Sequence, residues 1–160
     1  MARQRHAPAR FPSPQVTLLV LGALFLVWGI IGFFFLGDPA TDLAGRDTNH
    51  GLLGLETNAL QNVIHVVLGL VALACTSNET SMRVGGVVLA VAGAALTVAG
   101  VVGLATPDAN VFSQNLAVTI VHGVTALVGL AIALVPMPGP AGQAAGPANP
   151  PRDHRGVHGA

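Results

Sequence analysis

Two histidines, His65 and His122, stand inside otherwise uncharged apolar segments and are the residues of this chain best placed to do chemistry. Each lies on a polar stripe. Asn58, Asn62, His65 and Gly69 fall at i, i+4, i+7 and i+11, which puts them on one helical face. Asn115, Thr119, His122 and Ala126 repeat the same offsets. An ionisable group in hydrocarbon is costly and faces a partner or a polar hollow rather than lipid.

Three kinds of chemistry fit such stripes. As structural residues the side chains would hydrogen-bond between helices, each bond contributing about 0.6 kcal/mol. As a binding site they would line a cavity for a small solute or ion, in a transporter or a regulatory subunit. As redox ligands, His65 and His122 would hold a haem between diagonal helices about 13 Å apart. No carboxylate lies within the apolar segments to couple a proton or cation, which weighs against transport. No further His, Cys or carboxylate there completes a zinc site, and no Ser, His and Asp arrangement or phosphate loop is visible. His154 and His158 near the end of the chain form no metal site of consequence. The expectation is a non-enzymatic structural or regulatory protein without catalytic residues, metal or cofactor, carrying an Asn and His stripe that faces outward.

The elements that must position these residues are membrane spans. Val16 to Leu36 holds no charged or amide side chain, and about 20 helical residues cross a hydrocarbon layer of about 30 Å. Its length and the lack of a cleavage site after it make it an uncleaved span rather than a signal peptide. Further spans are expected at residues 58–75, 84–105 and 113–135. Asn58 and Gln61 have the spacing of a helix cap and its partner, and Ser113 is the expected cap of the last span. His65 then lies about 10 Å below its cap and His122 about 14 Å below its own, at similar depth. The fold class is all-α: a four-helix transmembrane bundle, up-down-up-down, between an N-terminal tail at 1–15 and a Pro/Gly/Ala-rich tail at 136–160, both disordered.

Only 9% of residues are charged while 52% are hydrophobic, and mean hydropathy is +0.67, which excludes an ordinary soluble domain. Net charge is zero with no basic patch, so nucleic acid is excluded as a partner and the lipid bilayer is the expected one. All seven cations are Arg, a bias that a GC-rich bacterial genome would produce. The lone Cys75 can form no internal disulfide. Arg3, Arg5, Arg10, Arg83, Arg152 and Arg155 all fall on one side of four spans, and only Arg46 on the other. By the positive-inside tendency both termini are cytoplasmic in a multi-pass plasma-membrane protein, with the acidic segment Gly37 to Thr57 outside.

Helices in lipid associate through small residues that let backbones approach. Gly86, Ala90 and Ala94 form one such line on the third span, and Ala95, Ala99 and Gly103 form another. Two small faces predict neighbours on both sides and raise the expectation of a homo-oligomer or of other membrane proteins as partners. The order of elements also repeats: a span, an outer loop, then a span carrying Asn and His.

The run GLLGLETNALQNVIHVVLGLVALA, residues 51–74, resembles the bacterial, mostly actinobacterial, four-span membrane family called domain of unknown function 4383. Asn62, His65 and Gly69 match that family's Asn-x-x-His-x-x-x-Gly signature. The resemblance covers about residues 16–135 and implies the four-span fold, an acidic outer loop and a second Asn and His span. At the second site Thr119 stands where Asn is expected and Ala126 where Gly is expected. The family has no established activity, so the resemblance implies none.

Overall fold

A computed structural model describes residues 13–36, 43–45 and 51–136 of the chain. The expectations for residues 1–12 and 137–160 and for Arg46 lie outside the described residues, whereas the last residues of the expected N-terminal tail, 13–15, cap and begin α1.

Four helices account for most of the structure: α1 (Pro14–Gly32), α2 (Ala59–Ala74), α3 (Glu79–Ala105) and α4 (Leu116–Leu134). Each starts on a side chain that accepts an otherwise orphaned backbone N–H: Ser13 from Val16, Asn58 from Gln61, Asn78 from Ser81 and Asn115 from Val118. The first begins two residues before the expected Val16, because Pro14 at the first helical position has no N–H to satisfy and a ready-made φ. The third begins at Glu79 rather than residue 84. The lack of charge marks where hydrocarbon begins, whereas the helix starts at its cap, and Glu79 and Arg83 form an exposed ion pair one turn apart at 3.1 Å. Asn115, not Ser113, caps α4.

Length separates α2 from the others. Three helical segments, 14–35, 79–105 and 116–134, are long and apolar enough to cross a membrane, whereas α2 has 16 residues. At 1.5 Å per residue α2 is about 24 Å long, short of a hydrocarbon layer of about 30 Å. Large apolar side chains are exposed on all four helices, among them Leu24, Leu70, Val98 and Leu127, which points to a lipid environment.

The helices pair into two antiparallel hairpins. In the first, Gly22 and Gly29 of α1 lie against the backbone of α2 at Gly69 and Asn62. In the second, Gly86 and Gly93 of α3 lie against α4 at Gly129 and His122. A Cβ on Gly69 would come within 2.5 Å of Leu26 N, and one on Gly129 within 2.5 Å of Ala90 N, so both contacts require glycine. The hairpins share a core of Leu18, Phe25, Ala72, Leu89 and Ile132. Between α1 and α4, and between α2 and α4, the backbones scarcely meet, so side chains must bridge the gap.

The small residues that pack α3 on α4 are spaced by seven as well as four: Gly86, Gly93 and Gly100, with Ala90 and Gly103 beside them. Gly85, Gly86, Gly93, Gly100 and Gly103 are buried and Ala99 is half-buried, but Ala94 and Ala95 are exposed. The four-residue lines through Ala94 and Ala95 drift off the contact face, because α3 meets its partner with glycine rather than with alanine.

Two short strands, β1 (Gly51–Leu52) and β2 (Leu55–Glu56), precede α2 as an antiparallel hairpin. Leu53 and Gly54 between them both have positive φ, as a two-residue hairpin turn of matching twist demands. This hairpin is absent from the sequence-based expectations, since Leu in the left-handed region gives no turn signal.

Candidate functional site

Beneath the α1–α2 and α3–α4 connections, the outer ones in the orientation expected from the sequence, lies a layer of buried polar side chains: Thr57, Asn58, Gln61, Asn62, His65, Asn110, Ser113, Gln114, Thr119, His122 and Thr125. Glycines on the neighbouring helix make room for several of them. A Cβ on Gly32 would collide with Asn62, one on Gly100 with Thr119 and Gln114, and one on Gly103 with Asn110.

Of the two stripes, the histidines come together. His65 Nε2 lies 3.2 Å from His122 Nε2, and the rings are tilted by 51° with centroids 5.5 Å apart. His122 Nδ1 lies 3.0 Å from Gln114 Oε1. With the Gln114 amide oxygen toward the ring, the matching tautomer of His122 has the proton on Nδ1 and a lone pair on Nε2. His65 Nε2–H then donates to that lone pair. The remaining nitrogen, His65 Nδ1, is a buried acceptor without a partner. The ring of Phe25 covers His65, with centroids 5.3 Å apart.

The other stripe residues bond separately. Asn62 Oδ1 accepts from Thr57 Oγ1 at 2.7 Å, and Thr119 Oγ1 donates to Asn115 O of its own helix at 2.9 Å. The asparagines that cap α2 and α4 each make one bond to the opposite hairpin, at Val111 and Gly54, and Asn58 makes another to Gly45 of its own half. Asn58 Nδ2 donates to Val111 O at 2.8 Å and to Gly45 O at 3.0 Å, while Asn115 Nδ2 donates to Gly54 O at 2.7 Å. Val111 stands 57 positions after Gly54, the interval that also separates Asn58 from Asn115 and His65 from His122. The crossbars are therefore reciprocal, as an internal repeat requires. With both caps seven positions before their histidine, His65 and His122 lie equally deep, about 10 Å in.

This geometry changes two expectations. The stripes do not face outward, because Asn58 and Asn62 are fully buried and Asn58 is bonded into the outer connections. Nor, as placed, do the two imidazoles have the spacing that the two axial ligands of a haem need. Metal–nitrogen bonds of about 2.0–2.1 Å put trans nitrogens about 4 Å apart with a macrocycle between. Here the rings hydrogen-bond directly. Among the described residues no three His, Cys, Asp or Glu side chains converge as metal ligands.

Sequence reasoning missed Gln114 and Asn110 as site residues and gave Gln61 only a capping role. Gln114 precedes α4, so a count along one helical face passes over it. Asn110 latches the second outer connection by accepting from Gln114 N at 2.8 Å and donating to Gln114 O at 2.9 Å. Beside the histidine pair a cavity of about 220 Å³ opens between α1, α2 and α4, lined mainly by apolar side chains and by Gln61, His65, His122 and Thr125.

With Asn62, His65 and Gly69 in place on α2, the model of the family described as domain of unknown function (DUF4383) matches residues 15–135. The chain belongs to this DUF4383 family. The match takes in all four helices and both outer connections, so the buried polar layer is part of the family domain. No curated protein and no solved structure matches the chain.

Proposed function

We propose that this DUF4383 protein is a non-enzymatic multi-pass membrane bundle whose buried polar layer clamps its two hairpins together. The observation that carries the reading is the His65–His122 bond, which joins α2 to α4 where their backbones scarcely meet. The reciprocal asparagine crossbars support it from above. The clamp predicts thermodynamic coupling between the histidines. In unfolding measurements in detergent, His65→Leu and His122→Leu each lower stability, and the double variant loses less than their sum by about 0.6 to 1.7 kcal/mol. Additive losses would remove the clamp.

In this reading α2 also crosses the bilayer, giving four crossings with both termini cytoplasmic in the plasma membrane. The Arg distribution supports that side assignment, and the roof of outer connections over α2 and α4 supports a common end for their N-termini. In a Cys75→Ser background, Leu53→Cys should react with an impermeant maleimide on intact cells, and Ser77→Cys only after permeabilisation. The reverse pattern would invert the protein. Ala94 and Ala95 on the exposed face of α3 offer a small-residue surface for a second copy or another membrane protein.

A further inference from the structure

The cavity beside the histidine pair is built of two unlike parts. Phe25 and Trp28 of α1 form an aromatic wall, and the rim carries Leu24 and Val121, exposed apolar residues of the kind that acyl chains cover. Gln61 and His65 lie at the other end, 1% and 4% exposed. Each carries an acceptor without a partner, Gln61 Oε1 and His65 Nδ1. With Gln114 Oε1 accepting from His122, the chain of bonds leaves the second as a lone pair that a donor satisfies. Buried acceptors of this kind cost free energy until something donates to them.

Size narrows the ligand. A dry apolar cavity of about 150 Å³ accepts benzene, so one of about 220 Å³ takes a single ring with substituents. The cavity lining holds no carboxylate or cation, so nothing in it recognises a charged solute. We propose that this cavity binds a lipid-soluble molecule headed by one hydroxylated ring, a phenol or quinol. The ring lies along Phe25 and Trp28, the O–H is donated to His65 or Gln61, and the tail leaves past Leu24 and Val121 into the bilayer.

Trp28 is the only tryptophan of the chain, and there is no tyrosine, so emission excited at 295 nm reports this cavity alone. The probes are 4-nonylphenol, 4-nonylanisole, which cannot donate, and phenol, which has no tail, each titrated into the protein reconstituted in lipid vesicles. Nonylphenol should change Trp28 emission saturably, with a half-saturation about tenfold below that of nonylanisole, the effect of one hydrogen bond to an otherwise unpaired acceptor. His65→Leu or Gln61→Leu, whichever removes the acceptor, should abolish that preference, and a preference that survives both would overturn the proposal. Val118→Phe, which fills the cavity from α4, should abolish saturation for both tailed probes. Equal affinity of nonylphenol and nonylanisole, or a linear response that Val118→Phe does not alter, would overturn the proposal. Phenol matching nonylphenol at equal concentration in the membrane would overturn its lipid origin. If either variant does not fold, the wild-type ratio of nonylphenol to nonylanisole affinity decides.

Discussion

In the first hairpin the capping asparagine, Asn58, precedes the crossing glycine, Gly69, by eleven positions; in the second, Asn115 precedes Gly129 by fourteen. The extra three residues are nearly one helical turn, and they equal the difference in length between α2 and α4. Both hairpins cross in the same way, glycine against backbone, and both carry histidine seven positions after the cap. Measured from the crossing, however, the counterpart of His65 on α4 is Thr125, not His122. The repeat keeps its cap and its crossing but changes the spacing between them. A small hydroxyl side chain thereby stands beside the aromatic wall of α1, and there the cavity lies.

That comparison is open to attack, most severely at the crossings. Gly69→Val and Gly129→Val each force backbones apart, and each should lower stability in detergent by about 1–3 kcal/mol in thermal unfolding. Similar losses confirm that the hairpins share one crossing; a tolerated change on either would break the equivalence. The caps come next. Asn58→Ala should cost more than Asn115→Ala, within about 0.5–2 kcal/mol, because Asn58 is fully buried and bonds three backbone groups whereas the crossbar of Asn115 is exposed. The smallest effect distinguishes the outer connections. Leu53→Asn supplies the residue that the positive-φ turn prefers and touches nothing, since Leu53 is exposed, so stability should rise by up to about 1 kcal/mol. A fall would mean that the turn is not what holds the first outer connection.

Helix number and type were legible because absence of charge over a bilayer's length is a strong signal, and Asn58 was legible as a cap from its spacing to Gln61. Helix starts were less so. The reading placed them where charge ends, although Pro14 and Asn78 show that the helix begins at its cap, inside the polar segment. The histidine stripes were visible as faces of two helices, and periodicity describes one helix at a time. That His65 and His122 touch depends on how far α2 and α4 stand apart, which the glycine contacts of α1 and α3 set. Gln114 sits outside any helical period, so its role emerges only once α4 is placed. Ala94 and Ala95 passed for packing residues because alanine and glycine look alike in a small-residue pattern, yet only glycine permits the observed approach.

The reciprocal crossbars carry a consequence for biosynthesis. When α1 and α2 leave the ribosome, Asn58 has yet to meet Val111, and His65 waits for a residue 57 positions downstream. Until the second half arrives, an amide and an imidazole stand without their mates, and the first half has every reason to keep its upper end near the aqueous boundary. Completion of the chain is thus the event that draws these groups inward.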